Sequence, residues 1–114
     1  MSMKVITNEN FNAEVLEADR PILVEFWAPW CVYCKRLSPV LDRLSTKLGD
    51  ALPIGTINVD EVSGLEERFG VSLIPTLYLF KNGVHGEKLV APSSQAQIEA
   101  WIQEQGEDVH GKAV

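Results

Sequence analysis

The sequence predicts an α/β domain with a mixed sheet of five strands and helices on both of its faces. Three observations predict it. Strand and helix patterns follow the order βαβαβαββα over 114 residues, a length that suits one domain. Residues 22–28 are apolar on both faces except at Glu25, which is typical of a central strand between two layers of helices. Asn82-Gly83 indicates a tight hairpin, so the last two strands should be antiparallel.

The first strand and the first helix are predicted before residue 22. Residues 4–7 have the pattern of a short strand. Thr7 or Asn8 can cap the helix that follows, which is expected to end near residues 19–21. The residues of this helix that should face inward are Phe11, Val15 and Leu16.

A longer helix is predicted over residues 32–48. Gly49 is suited to end it, and Pro39 inside it is expected to bend its axis, because proline lacks an N–H and its ring clashes with the preceding turn. The apolar residues that recur at helical spacing are Leu37, Val40, Leu41, Leu44 and Leu48.

A third strand and a short helix are predicted next. The strand spans residues 52–59. In the helix, Ser63 and Glu66 have the spacing of a capping box, and Gly70 suits the left-handed position after the last turn. The residues of this helix expected to face inward are Leu65 and Phe69.

The C-terminal part predicts two strands and a last helix. Residues 76–80 form the fourth strand, and the fifth follows the turn and runs through residues 88–90. Ser93 or Ser94 can cap the helix. The apolar residues that share one face of it are Ile98, Trp101 and Ile102.

Composition narrows the classes of function. The net charge is −6 and the basic residues are scattered, which disfavours nucleic acid or an anionic membrane as the main partner. We expect a cytoplasmic protein, because the first residues lack the apolar stretch of a signal peptide and no apolar run approaches the length of a membrane span. Residues 1–105 should form a single domain, and the polar residues 106–114 a flexible tail.

Both cysteines lie between the central strand and the long helix, as Cys31-x-x-Cys34. Two thiols at this place are typical of a dithiol redox centre. Cys31 should be the attacking thiol, since the helix N-terminus stabilises a thiolate, and Cys34, one turn later, the resolving thiol. The alternative is a structural pair or half of a zinc site. Zinc needs four ligands and only the distant His85 and His110 remain, so we expect no metal and no cofactor beyond the Cys31–Cys34 disulfide.

Six short segments, in order and with the right spacing, resemble the thioredoxin family from about residue 4 to residue 105. They are Phe26-Trp27-Ala28, Trp30-Cys31-x-x-Cys34-Lys35, Pro39, Asn58-Val59-Asp60, Ile74-Pro75-Thr76 and Phe80-Lys81-Asn82-Gly83. The resemblance implies the family's sheet order, 1-3-2-4-5, which agrees with the order of the predicted elements.

The sequence departs from the family pattern at four places. Val32-Tyr33 stands between the cysteines where the family usually has Gly-Pro, and Glu25 stands where it usually has a buried Asp. The usual Lys partner of that acid is replaced by Thr56, and a Gly of the substrate loop by Ala91. From Val32-Tyr33 we hypothesise a protein that is a somewhat weaker reductant than ordinary thioredoxins.

The resemblance also implies roles for residues outside the Cys pair. Taken alone, Glu25 could equally be a proton acceptor for Cys34 or an acid that points into a wet gap without a role; the resemblance favours the proton acceptor. Pro75 taken alone would be a trans turn proline; the resemblance implies a cis peptide that faces the cysteines, with the Ile74 backbone pairing with substrate. The residues implied to form an apolar substrate rim are Trp30, Ile74, Ala91 and Pro92, and those implied to support the site are Trp27, Lys35 and Pro39.

The resemblance implies a protein disulfide reductase that contributes to cell redox homeostasis. Its expected partners are protein disulfides and an NADPH-dependent thioredoxin reductase, and it should be a monomer. Two alternatives stay open. One is a binding module or chaperone subunit that has this fold and idle thiols. The other is a more oxidising disulfide oxidase or isomerase.

Overall fold

A twisted mixed sheet forms the centre of the protein, and the computed structural model describes residues 3–109. Its strands are β1 (Lys4–Val5), β2 (Ile22–Trp27), β3 (Ile54–Asn58), β4 (Thr76–Lys81), β5 (Val84–His85) and β6 (Leu89–Val90). They lie in the order β1-β3-β2-β4-β5, and β6 also pairs with β4. β1, β3 and β2 are parallel to one another, whereas β4 runs antiparallel to β2, β5 and β6. The predicted strand order and α/β class are therefore confirmed.

The predicted fifth strand is present as two short strands on the same edge of β4. The turn before it has the expected conformation, with φ of 54° at Asn82 and 79° at Gly83. Between β5 and β6 the chain leaves the sheet, because the Trp101 indole donates to the Glu87 carbonyl (3.2 Å) and Lys88 Nζ donates to the Gly70 carbonyl (2.8 Å).

Three α-helices cover the sheet: α1 (Val32–Leu48), α2 (Leu65–Arg68) and α3 (Gln95–Glu104). Two shorter helical turns, π-helical Asn12–Leu16 and 3₁₀ Gly49–Ala51, complete the helical structure of the described residues. α1 and α3 pack on one face of the sheet, against side chains that include Leu23 and Leu77. The turn at Asn12–Leu16 and α2 pack on the other face, against Val24 and Phe26. The side chains of β2 alternate between these two cores, which is why this strand is apolar throughout.

One predicted helix start is formed and one is not. Thr7 caps the first helical segment: the Asn10 N–H donates to Thr7 Oγ1 (3.2 Å), the Thr7 N–H donates to Asn10 Oδ1 (2.7 Å), and the Phe11 N–H donates to the Thr7 carbonyl (3.0 Å). The π-helical turn Asn12–Leu16 follows. α2 begins after Gly64, with φ of 88° and no side-chain cap, so the predicted capping box of Ser63 is not formed. The Ser63 backbone instead bonds the Asn8 side chain.

The other predicted boundaries differ less. β3 spans Ile54–Asn58, shorter than the predicted 52–59, and Gly70 has the expected positive φ, 67°. At the C-terminus, Val109 is buried in the core between the sheet, α1 and α3, and Glu107 forms a 2.6 Å ion pair with Lys81. Packed structure thus continues past Gln105. The rest of the predicted tail, including His110, lies outside the described residues.

Candidate active site

The Cys pair lies where β2 passes into α1. A short turn, with Cys31 N–H donating to the Ala28 carbonyl (3.1 Å), places Cys31 as the N-cap of α1. Its Sγ accepts a hydrogen bond from the Cys34 backbone N–H (3.1 Å), the contact that a side-chain cap makes with the first turn of a helix. Cys31 and Cys34 form a disulfide whose Cα atoms are 5.2 Å apart. Cys31 is 7% exposed and Cys34 3%, so Cys31 is the more exposed residue of the pair.

The loop before β4 faces this disulfide. The Ile74–Pro75 peptide bond is cis, and the Ile74 carbonyl oxygen lies 3.9 Å from Cys31 Sγ. The Ile74 side chain packs against the small apolar cluster that contains both cysteines and Ala28. A hydrogen bond from Thr76 Oγ1 to the Leu73 carbonyl (2.5 Å) closes the loop. The structure therefore brings Ile74, 43 residues after Cys31, beside its sulfur.

The loop after β6 forms a second wall. Ala91 N–H donates to the Pro75 carbonyl (2.8 Å), and Ala91 has φ of 47°, the left-handed region that a residue with a Cβ adopts only at a steric cost. Pro92 is buried, so its ring supports the loop rather than adding to an exposed apolar rim.

Glu25 lies beneath the disulfide, on the face of the sheet that α1 covers. It is 4% exposed, and within residues 3–109 its Oε2 has no hydrogen-bond partner. Burial raises the pKa of this carboxyl from 4.5 to about 8, because removal from water penalises the charged form. Thr56 is its register partner on β3, so this neighbour supplies a hydroxyl and no positive charge.

A cavity of about 170 Å³ connects Glu25 with Cys34. It is large enough for water, which needs roughly 10–15 Å³ of such space. The other residues that line it are Met3, Trp27, Lys35, Ser38 and Thr56. Glu25 and Cys34 therefore line the same water-sized cavity.

The predicted supporting residues occupy different positions. Trp27 is half-buried, lines the cavity, and accepts the Val59 N–H on its carbonyl (2.9 Å). Lys35 is exposed and lines the same cavity. Pro39 is exposed and lies within α1, which continues through it to Leu48.

Two exposed apolar residues, Trp30 and Leu73, are chain neighbours of Cys31 and Ile74. Trp30 is 66% exposed, and its indole N–H donates to Asp60 Oδ1 (3.2 Å). Sequence reasoning missed Leu73, which is 64% exposed and immediately precedes Ile74. Its only signal in the sequence was an apolar residue next to Ile74.

Tyr33 makes a contact that the sequence did not indicate. Its hydroxyl lies 3.2 Å from the Ala91 carbonyl oxygen and 3.3 Å from that of Pro92. Tyr33, between the two cysteines, therefore contacts the second wall of the site.

Two further observations concern metal sites and membrane spans. In the described range no three His, Cys, Asp or Glu residues are grouped to hold a metal. None of the helices of residues 3–109 has the length and apolar character needed to cross a membrane.

The disulfide spans the first turn of a helix, at the end of a central strand and beside the loop with the cis Ile74–Pro75 bond. This arrangement defines a thiol–disulfide oxidoreductase. The family model for thioredoxin matches residues 2–104. The chain belongs to the thioredoxin family. It is 37% identical to a thioredoxin of Rickettsia felis over 97 residues, covering 85% of this chain and 92% of that protein. It is 36% identical to a thioredoxin of Rhodospirillum rubrum over 101 residues (89% and 97%), and 32% identical to one of Porphyra purpurea over 102 residues (90% and 95%).

Proposed function

We propose that this protein is a protein disulfide reductase and contributes to cell redox homeostasis. The observation that carries the proposal is the Cys31–Cys34 disulfide at the start of α1, with Cys31 as the more exposed residue of the pair. In the reduced protein, the Cys31 thiolate attacks one sulfur of a substrate disulfide. A Cys31–substrate bond forms, and the other substrate sulfur leaves as a thiolate and takes up a proton. Cys34 then attacks Cys31 Sγ, which releases the reduced substrate and restores the Cys31–Cys34 disulfide.

The helix N-terminus favours the thiolate on Cys31. The Cys34 N–H already points at Cys31 Sγ, and the positive end of the α1 dipole lies beside it. Both effects stabilise a negative sulfur, the form that attacks disulfides.

Glu25 serves the second thiol. Its raised pKa keeps the carboxyl mostly protonated at neutral pH, so it can donate a proton when Cys34 leaves during reduction of the disulfide. By microscopic reversibility the same group accepts the Cys34 proton when Cys34 attacks. The shared cavity supplies the route between them.

The substrates we propose are protein disulfides in extended segments. The Ile74 backbone beside Cys31 can pair with such a segment as an added strand, and the exposed side chains of Trp30 and Leu73 can contact its apolar residues. Two electrons from NADPH, delivered by a thioredoxin reductase, would restore the dithiol. We further propose a monomer that acts in the cytoplasm, a reducing compartment where a lone Cys pair is typically catalytic.

Trapping experiments test the assignment of the two thiols. Cys34→Ser should accumulate mixed disulfides with substrate through Cys31, because the resolving step is lost, and Cys31→Ser should accumulate none. Mass spectrometry of non-reduced adducts measures this, and the reverse pattern would overturn the assignment.

Turnover of insulin disulfides with dithiothreitol, and then with thioredoxin reductase and NADPH, tests the function. No turnover in either assay would favour a binding module with idle thiols, and turnover with dithiothreitol alone would indicate another electron donor.

Val32-Tyr33 leads to a second expectation, for the redox potential. The pair replaces Gly-Pro next to both sulfurs, and we propose that it makes the protein a weaker reductant than ordinary thioredoxins. Equilibration with glutathione buffers measures the potential. A value equal to or more negative than that of a Gly-Pro thioredoxin would contradict the proposal, and a clearly oxidising value would favour an oxidase or isomerase.

A further inference from the structure

Tyr33 connects the active-site helix to the opposite wall of the site. Its single hydroxyl proton is shared between the carbonyl oxygens of Ala91 and Pro92, at 3.2 and 3.3 Å. Tyr33 is 39% exposed, so this contact lies at the protein surface. The contact joins a residue between the two cysteines to a loop 58 residues later.

The loop needs external support. Ala91 has φ of 47°, a conformation that its Cβ disfavours. Both of its main-chain polar groups are bonded: the N–H donates to the Pro75 carbonyl (2.8 Å), and the carbonyl accepts from Tyr33. Hydrogen bonds from two sides thus hold Ala91 in this conformation.

Two hydrogen bonds connect the three segments around Cys31 in series: α1, the loop after β6 and the loop before β4. Tyr33 Oη, in the first turn of α1, donates to the Ala91 carbonyl, and the Ala91 N–H donates to the Pro75 carbonyl. Ile74, beside the Cys31 sulfur, is next to the end of this series. A substrate segment on Ile74 therefore meets a second wall whose position depends on Tyr33.

We infer that Tyr33 is a specificity-determining residue, whose hydroxyl holds the Ala91–Pro92 loop against α1 and so preforms the cleft for an extended polypeptide. A preformed cleft binds such a substrate without the cost of ordering the loop. A small disulfide, which needs only the Cys31 sulfur, does not use this wall. The inference rests on the proposed reductase function.

Tyr33→Phe tests it, because this variant keeps the ring and removes only the hydroxyl. Pre-reduced protein is mixed with increasing concentrations of insulin, or with Ellman's reagent as a small disulfide, and its oxidation is followed. The insulin concentration that gives half the maximal rate should rise roughly three- to ten-fold, as expected for the loss of one hydrogen bond. The maximal rate with insulin and the rate with Ellman's reagent should each change less than about two-fold. Tyr78→Phe is the matched control: it removes a hydroxyl that donates to the Phe69 carbonyl (2.5 Å) away from the disulfide, and should leave all three values unchanged.

Amide exchange gives a readout that needs no activity. In the oxidised protein, the Ala91 N–H should exchange roughly three- to ten-fold faster in Tyr33→Phe than in wild type, and at the wild-type rate in Tyr78→Phe. Unchanged Ala91 exchange, an unchanged or lower half-saturating insulin concentration, or equal losses with insulin and Ellman's reagent would each overturn the inference. Failure of the wild-type protein to react with either disulfide would instead overturn the proposed function, and the exchange data would still decide whether Tyr33 holds the loop.

Discussion

At the scale of single residues, Glu25 is the side chain whose chemistry conflicts most with its surroundings. β2 is a buried strand, and a carboxylate placed in it is removed from water without a partner for Oε2 among the described residues. The protein accommodates it mainly in the protonated form, with a pKa of about 8. A group that serves only packing would be apolar at this position, so the cost of burial itself supports a role in proton transfer.

Glu25 should make the stability of the oxidised protein fall as pH rises from about 4.5 to 8. The folded state binds the proton more tightly than the unfolded state, so the stabilisation is complete below the unfolded pKa and is lost as pH approaches the folded pKa. The slope reaches at most about 1.4 kcal/mol per pH unit. Glu25→Gln cannot ionise, and its unfolding free energy relative to wild type should therefore increase steadily over this range. Urea denaturation at a series of pH values measures the difference.

The control for this series is Ser93→Ala, because this exposed position has no ionisable side chain in either protein. Its difference from wild type should stay flat with pH. Both variants are studied with the Cys31–Cys34 disulfide intact, so that neither thiol titrates. A Glu25→Gln difference that is constant, or that shrinks as pH rises, would show that the carboxyl is not held protonated by burial.

At the scale of elements, the sequence predicted the helices and motifs that depend on neighbouring residues in the chain. α1 was predicted at its observed bounds, because both signals are local. The spacing of its leucines lies within the helix, and Gly49 directly follows its last residue. The cysteine roles came from a motif of four residues. The errors in the start of α2 and in the fifth strand arose from contacts between distant segments. The Asn8 side chain hydrogen-bonds the Ser63 backbone, and the Trp101 indole hydrogen-bonds the chain between β5 and β6. The Tyr33 contact with Ala91 is of the same kind, and no local pattern could have indicated it.

The cap of α3 gives an element-scale prediction. The sequence allowed Ser93 or Ser94, and the structure selects Ser94, whose Oγ accepts the Gln97 N–H (3.1 Å). Ser94→Ala should lower the unfolding free energy by about 1 kcal/mol, since a helix N–H loses its partner. Ser93→Ala is the matched control. It removes only an exposed contact with the Gln97 side chain and should cost less than about 0.5 kcal/mol. Equal effects of the two variants in urea denaturation would contradict the cap assignment.

At the scale of the whole molecule, the question is where the packed domain ends. The polar composition after Gln105 predicted a tail, and the family model also stops at residue 104. Val109, however, belongs to the same core as Trp101 and Ile102 and is 3% exposed. Burial of an apolar side chain contributes about 1.5–3 kcal/mol to the free energy of unfolding. An ion pair such as Lys81–Glu107, whose lysine is half exposed, contributes about 1 kcal/mol or less. Val109 should therefore stabilise this segment more than its polar neighbours do.

Val109→Ala should therefore destabilise the protein as a core substitution does, by about 1.5–3 kcal/mol, because two methyl groups leave a space against α3. Val84→Ala provides the comparison: Val84 is 67% exposed, and its loss should cost under about 1 kcal/mol. Urea denaturation of the full chain measures both. A domain that ended at residue 105 would give Val109→Ala no larger effect than Val84→Ala. The larger effect would instead show that residues 106–109 fold with the sheet, and that a chain shortened to the family's boundary loses part of its core.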